Sequence, residues 1–124
     1  MDVATAFFHA CEQGKGWEEC KAVCSDESAF SIQAMDALPG PKVTECTNLK
    51  EYVEWMKAVV ENLKEQATYE VHAAAFDEEA STALFFATFA GISHYVYVVR
   101  VEDAKVAALT KVWNDTYAAM AMQS

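Results

Sequence analysis

The residues best suited to act on a small molecule lie towards the C-terminal end of the sequence. The stretch "YVYVVRVEDAKVAALTKVWND", residues 95–115, is typical of two strands joined by a tight turn. It ends on Trp113, Asn114 and Asp115, which set an aromatic ring beside an amide and an acid. This combination at the end of a strand predicts the rim of a cavity.

Alternation along the strands predicts which side chains point into that cavity. Tyr95, Tyr97 and Val99 share one face of their strand, and Trp113 lies on the matching face of the next. Such a lining suits an apolar ligand with a polar handle, bound by Tyr97 or Gln33. The alternative is that these side chains fill the core and leave no void. The predicted ligand-binding residues are Phe8, Phe30, Ile32, Gln33, Tyr52, Trp55, Met56, Val59, Tyr95, Tyr97, Val99 and Trp113.

Four cysteines, Cys11, Cys20, Cys24 and Cys46, are the other residues with reactive side chains. The spacing of Cys20 and Cys24 predicts one face of a short helix, and His9 is near them in sequence. A zinc site usually has more closely paired ligands and two further ones, and no export signal indicates an oxidising compartment. We therefore expect free thiols packed in the core, no bound metal and no cofactor.

Length and composition limit the function further. The 124 residues predict one domain, 1–124, and the hydrophobic share of 53% exceeds what a small solvated monomer needs, which indicates a pocket or a partner surface. With 9 basic against 19 acidic residues the net charge is −10, so nucleic acid and anionic membrane surfaces are poor partners. No apolar run is long enough to span a membrane, and we expect a cytoplasmic protein.

Periodicity predicts the elements that must position these residues. The order is helix, helix, strand, helix and then four strands, which indicates an α+β domain with helices on one face of a curved antiparallel sheet. Asn48 and Glu51 fit a capping pattern at the start of the long helix, with Thr47 as an alternative cap. The predicted ranges are 3–13 and a short helix after "KGW", a strand within 26–35, a helix over 47–65, and strands over 67–76, 82–90, 93–101 and 105–113.

Two of these strands are apolar on both faces, so both sides of the sheet must be covered. The long helix would cover one side. We expect a second copy of the chain to cover the other, which predicts a homodimer through the outer sheet face.

The order of elements resembles the nuclear transport factor 2-like superfamily, and most closely its SnoaL-like, polyketide cyclase-like branch. The stretches "ACEQGKGWEECKAVCSDESAFSIQA", "NLKEYVEWMK" and "YVYVVRVEDAKVAALTKVWND" carry the resemblance and cover about half of the chain. It implies a cone-shaped, cystatin-like α+β fold in which three N-terminal helices pack on a curved antiparallel sheet. It also implies a deep pocket between helices and sheet, and dimerisation through the outer sheet face.

The resemblance also suggests where chemistry would lie. Isomerase-like members use a carboxylate on the first strand, a tyrosine on the first helix and a protonated acid on the third sheet strand. The matching positions here are Ile32 or Gln33, Phe8 and Tyr97. None is a carboxylate, and neither Ile32 nor Phe8 can transfer a proton, so this triad is absent.

Two other reaction types remain for comparison. Hydrolase-like members activate water with an Asp-Arg-Asp arrangement, but Arg100 should point away from Tyr97 and out of the pocket. Cyclase-like members use an Asp or a His near the rim, and Asp115 matches, with His94 and Asp36 as other candidates. The predicted catalytic residues are Asp115, Tyr97 and His94.

The sequence therefore supports two hypotheses. The first is a pocket protein for a small hydrophobic ligand, acting as an isomerase-, cyclase- or hydrolase-type enzyme without an organic cofactor. The second is a non-catalytic ligand-binding or dimeric interaction domain, which the missing carboxylate on the first strand favours.

Overall fold

The computed structural model describes residues 1–33 and 43–113. They form three α-helices and five strands, joined by short 3-10 turns at Lys21–Val23, Val43–Glu45 and Lys64–Gln66. The helices are α1 (Asp2–Glu12), α2 (Trp17–Cys20) and α3 (Leu49–Leu63). The strands are β1 (Cys24–Gln33), β2 (Tyr69–Asp77), β3 (Thr82–Phe89), β4 (Ser93–Glu102) and β5 (Lys105–Trp113). The predicted α+β class and the order of elements are confirmed.

The five strands form one sheet in the order β1-β5-β4-β3-β2. Strands β2 to β5 pair antiparallel with their neighbours in the chain, as predicted from their short connections. Strand β1 pairs parallel with β5, so the first strand of the chain lies at one edge beside the last. The sheet thereby joins the N-terminal and C-terminal parts of the chain.

Helix α3 begins with the capping arrangement that the sequence predicts. The Asn48 side chain accepts a hydrogen bond of 2.9 Å from the backbone N–H of Glu51. The Glu51 carboxylate accepts in turn from the backbone N–H of Thr47 at 2.7 Å. A cap of this kind stabilises a helix by about 1 kcal/mol and fixes where it begins. Asn48, not Thr47, is therefore the cap.

The core lies between the inner face of the sheet and the helices. Helix α1 contributes Phe7 and Phe8, and α3 contributes Leu49, Tyr52 and Val53, all of them fully buried. The helix-on-sheet arrangement follows from these apolar stripes, since each can be buried only against another element.

Gly14 permits α1 to turn closely past α3. Its φ of +71° lies in the left-handed region, and a Cβ built there would be 2.5 Å from the Cβ of Val60. Glycine avoids both the backbone strain and the collision. The end of α1 can therefore approach the side of α3.

The cysteines differ in one respect from the sequence prediction. Helix α2 ends at Cys20, and Cys24 is the first residue of β1, so the two do not share a helix face as predicted. Cys24 instead pairs with Val106 of β5, and this sheet pairing overrides the local helical spacing. Burial raises the pKa of Cys20 to about 11 and that of Cys24 to about 12, so both thiols remain protonated at neutral pH.

Two other expectations concern the whole chain. None of the described helices is long and apolar enough to cross a membrane. A cytoplasmic location and a single domain over 1–124 stay predictions.

Candidate functional site

The inner face of the sheet carries both apolar and ionisable side chains near its centre. On β4, Tyr95 and Tyr97 alternate with outward-facing residues and are 3% and 0% exposed. On β5, Lys111 and Trp113 follow the same alternation and are 5% and 8% exposed. Strand pleating therefore brings two tyrosines, a lysine and a tryptophan to one surface inside the protein.

Helix α1 adds a buried carboxylate to this surface. Glu12 is the last residue of the helix and is 1% exposed. Its Oε1 accepts a hydrogen bond from the Tyr97 hydroxyl, and its Oε2 accepts one from the Tyr95 hydroxyl, each at 2.5 Å. The carboxylate is thus held by two strand residues whose side chains lie side by side on β4.

Helix α3 completes the arrangement with Tyr52. Its hydroxyl forms a short hydrogen bond with the hydroxyl of Tyr97. Lys111 Nζ donates to the same Tyr52 oxygen at 3.1 Å. We call Glu12, Tyr52, Tyr95, Tyr97 and Lys111 the polar cluster.

Aromatic rings surround the Lys111 ammonium group. Nζ lies 4.5 Å from the ring centroid of Trp113 and within 5.7 Å of the centroids of four further rings. A cation above aromatic faces is attracted by their negative electrostatic potential, and more strongly when water is excluded. We call the rings the aromatic enclosure; they belong to Tyr52, Trp55, Tyr95, Tyr97 and Trp113.

Burial changes the proton equilibria of the polar cluster. It raises the pKa of Glu12, and this effect exceeds the opposing effects of the Lys111 charge and of the two tyrosine hydrogen bonds. Burial, followed by the nearby Glu12 charge, also raises the pKa of Tyr97 and of Tyr95. The tyrosines therefore remain hydrogen-bond donors, and the Glu12 carboxyl is protonated more readily than one in water.

The directions of the hydrogen bonds form a continuous chain. Lys111 donates to Tyr52, and Tyr97 donates to Glu12. The Tyr97 proton is directed at the Glu12 carboxylate. The Tyr97 oxygen therefore accepts a hydrogen bond from the Tyr52 hydroxyl. The chain can therefore move a proton between an ammonium group and a carboxylate while every link remains hydrogen bonded.

The structure places most of the predicted ligand-binding residues in the interior. Gln33 is paired with Val112 in the sheet, and its side chain lies outside the described part of the structure, as does the whole of Asp115. Val59 is partly exposed on α3. The core includes Phe8, Phe30, Tyr52, Met56, Tyr95, Tyr97, Val99 and Trp113, with Ile32 and Trp55 packed against it.

His94 and Tyr97 are not brought together. His94 is exposed on the outer face of the sheet, where its ring centroid lies 6.1 Å from that of His72 and 6.0 Å from that of Phe86. Tyr97 is buried on the inner face. Arg100 is also on the outside, where its side chain bonds Glu102, in agreement with the predicted alternation.

Two residues of the polar cluster, Glu12 and Lys111, were not predicted from the sequence. Alternation along β5 offered a signal for Lys111. Leu109, Lys111 and Trp113 share one face of the strand, and the two residues that flank Lys111 on that face are apolar. For Glu12 the signal was its place directly after Cys11, at the end of an apolar helix face. Charged residues at such positions usually reach solvent, so neither pattern alone indicated burial.

No protein-family model and no curated protein matches this sequence. Solved structures do match. An NTF2-like protein of unknown function from Cytophaga hutchinsonii aligns with a TM-score of 0.62 at 12% identity, over 92% of this chain and 88% of that one. The chain has the nuclear transport factor 2-like fold. This confirms the resemblance to the superfamily at the level of the fold.

Two further structural neighbours have names that refer to enzymes. A structure from Sinorhizobium meliloti, provisionally named a polyketide cyclase, has a TM-score of 0.58 at 14% identity and covers 90% of this chain and 94% of that one. A structure from Kribbella flavida, provisionally named a ketosteroid isomerase, has a TM-score of 0.59 at 18% identity and covers 94% and 78%. At such identities the likeness shows the fold alone.

Proposed function

We propose that this protein binds a small hydrophobic ligand that carries an oxygen atom and acts on it as an isomerase- or cyclase-type enzyme without an organic cofactor. The observation that carries the proposal is the polar cluster. Within residues 1–33 and 43–113, Glu12 and Lys111 are the buried charged side chains, and tyrosine hydroxyls connect them. Burying such groups is costly, so their concentration inside an apolar core favours a chemical role.

The Lys111 ammonium group would bind the ligand oxygen. The Lys111 ammonium group can donate to a carbonyl or hydroxyl oxygen, and Trp113 and Trp55 offer apolar surface beside it, whereas the single O–H of Tyr52 is directed at Tyr97. Donors aimed at an oxygen that gains negative charge lower the barrier for enol or enolate formation. Glu12 would act through Tyr97 as a positioning residue.

When the ligand forms an enol or enolate, the proton that it loses must be taken up by another group. Asp115 follows Trp113 by two positions and stays the predicted acid–base residue at the rim. The names of the two enzyme-named neighbours agree with this reaction class.

Proton exchange tests this proposal directly. The protein would be incubated in deuterium oxide with 2-tetralone, a steroid enone and a long-chain β-ketoester, and deuterium uptake next to the carbonyl would be followed by NMR. We expect uptake from one of these above the buffer rate, and at least a tenfold loss in Lys111→Met and Asp115→Asn. Arg100→Ala, on the outer face, is the matched control. Exchange at the buffer rate for all three compounds contradicts the enzymatic proposal.

One observation favours the alternative of a non-catalytic binding domain. Within the described residues, no buried side-chain nitrogen or oxygen lacks a hydrogen-bond partner. When every polar atom of a network is hydrogen bonded, a structural role is enough to explain it, namely fixing the shape of a binding site. Tight binding of the same compounds, measured by calorimetry, without any deuterium uptake would select this alternative.

We also propose that a second copy of the chain covers the outer sheet face. Leu84, Phe86 and Val112 lie on that face and are 44%, 40% and 42% exposed. Leu84 and Phe86 are on β3 and Val112 is on β5, and Val96 of the intervening strand β4 pairs with both Phe86 and Val112. An exposed apolar surface across three strands suits a self-complementary sheet contact.

A further inference from the structure

We infer that the outer face of the sheet carries a binding site for a divalent transition-metal ion, with the imidazole rings of His72 and His94 as its two protein ligands. The site goes beyond the proposed function, because it lies on the opposite face of the sheet from the polar cluster and shares no residue with it. The basis is the way in which three neighbouring strands bring the two rings together.

The sheet places the two histidines on either side of Thr88. His94 of β4 pairs directly with Thr88 of β3, so their side chains share one face of the sheet. His72 belongs to β2, where the pairing with β3 is irregular between Val71 and Ala73, and its Nε2 lies 2.6 Å from Thr88 Oγ1. An irregularity of this kind often redirects a side chain. Two imidazole rings from strands that are not adjacent therefore meet above β3.

The separation of the two rings suits one shared metal ion. Their centroids are 6.1 Å apart and their planes are inclined by 31°. Zinc lies about 2.0–2.1 Å from an imidazole nitrogen, so the ring centre is about 3.2 Å from the metal. Two rings on one ion are therefore about 5.3 Å apart at a tetrahedral angle and about 6.5 Å apart when their nitrogens lie opposite each other. His72 and His94 are both exposed, so a small rotation of either ring reaches these geometries.

Thr88 can orient one of the two ligands. When Nε2 of His72 carries the ring proton, it donates to Thr88 Oγ1 and leaves the lone pair of Nδ1 available to a metal ion. A histidine that binds a metal almost always donates its other ring N–H to an acceptor, which fixes the tautomer and the ring orientation. Phe86 lies beside both rings, with its centroid 5.2 Å from that of His72 and 6.0 Å from that of His94. The pair thus has both a polar partner and apolar surroundings.

Charge and ligand type determine which ions the site would take. The protein carries a formal net charge of −10, and Glu70 pairs directly with Thr88, so one carboxylate belongs to the same face as the rings. Imidazole suits zinc, nickel and copper, whereas magnesium and calcium prefer oxygen ligands. Among the described residues, no third histidine, cysteine or carboxylate completes a metal-binding group. Water would complete the coordination, and we expect weaker binding than at a structural zinc site with four protein ligands.

Titration of the untagged protein with Zn²⁺ tests the inference. The protein would be treated with a chelator, dialysed and titrated by calorimetry at neutral pH with Zn²⁺ and, separately, with Mg²⁺, while NMR follows the histidine ring signals. We expect one Zn²⁺ per chain, shifts in the ring signals of His72 and His94, and no binding of Mg²⁺. His72→Gln and His94→Gln should each weaken Zn²⁺ binding at least tenfold, because only one imidazole ligand remains.

Two further variants make the test specific. His9→Gln is the matched control, because His9 is an exposed histidine on α1 that bonds Tyr69 and should not affect Zn²⁺ binding. Thr88→Val retains both ligands but removes the hydrogen bond to His72, and it should weaken Zn²⁺ binding about tenfold. Circular dichroism of each variant confirms that it is folded.

Several results would overturn the inference. These are the absence of binding at millimolar Zn²⁺, equal binding of Mg²⁺, and Zn²⁺ affinity that survives in a folded protein with both His72→Gln and His94→Gln. Loss of binding in His9→Gln but not in the other histidine variants would also overturn it, because the ion would then lie elsewhere. An unchanged affinity in Thr88→Val would contradict the orienting role of Thr88. None of these measurements depends on the proposed enzymatic activity.

Discussion

The buried carboxyl of Glu12 makes the stability of this protein depend on pH in a way that one substitution can isolate. In the unfolded chain a glutamate has a pKa of about 4.3. Burial raises the pKa of Glu12 in the folded protein. The folded state therefore binds more protons than the unfolded state between these two values. The stability that protonation of Glu12 contributes is therefore fully present below pH 4.3, and it is lost as the pH rises through the pKa of Glu12 in the folded protein.

The size of the effect follows from the linkage relation. Each pH unit between the two pKa values lowers the free energy of unfolding by about 1.4 kcal/mol. Glu12→Gln keeps the shape of a protonated carboxyl: its carbonyl accepts from Tyr97, and its amide donates to the oxygen of Tyr95. The variant cannot ionise, so the wild type should lose about 1.4 kcal/mol per pH unit relative to it, starting near pH 5.

Urea unfolding followed by circular dichroism at intervals from pH 5 to pH 8, at constant ionic strength, measures this difference. Glu51→Gln is the matched control, because hydrogen bonds from Thr47 lower the pKa of Glu51. Its carboxylate is ionised in both states above pH 5, and the difference from wild type should not vary there. The Lys111 charge opposes protonation of Glu12, so Lys111→Met should extend the sloping range to higher pH. A wild-type minus Glu12→Gln difference that is constant from pH 5 to pH 8 would refute the reasoning.

Three further predictions concern other parts of the protein. Gly14→Ala should lower the melting temperature more than Gly91→Ala, since both glycines have positive φ but only Gly14 faces Val60 at collision distance; equal losses by calorimetry would show that backbone strain alone matters. Tyr97→Phe should lower the free energy of unfolding in urea by about 1–3 kcal/mol, because it removes a donor from Glu12 and leaves a buried oxygen unpaired. The same variant should abolish turnover, and unchanged stability would contradict the hydrogen-bond chain. Phe86→Glu should convert a dimer to a monomer in sedimentation at tens of micromolar, and a wild type that is already monomeric there would rule out the proposed outer-face contact.

The elements of the fold were predictable because each has a local signal. Helix α3 has an apolar stripe and a capping pair, and the four C-terminal strands alternate between short turns. The inward direction of Tyr95, Tyr97 and Trp113 follows from that alternation alone. The parallel pairing of β1 with β5 has no such local signal, and it determined that Cys24 belongs to a strand.

The polar cluster was less predictable for a related reason. Glu12 is separated by 83 and 85 residues from the tyrosines that hold it. Glutamate and lysine are buried almost only when partnered, and a partner so distant in sequence cannot be identified from spacing. The alternation of the strands was enough to place these aromatic residues on the inner face, whereas the burial of Glu12 and Lys111 depends on how helix and sheet meet.

The pairing of β1 with β5 has a consequence for synthesis on the ribosome. Ser28 bonds Val106, and Ser31 bonds Thr110, across 78 and 79 residues of chain. At about 5–20 residues per second, the first strand waits roughly 4–16 seconds for its neighbour to be translated. Phe30 lacks its final neighbour until then, while β2, β3 and β4 can already form hairpins. The N-terminal third of the nascent chain is thus the part most exposed to premature association.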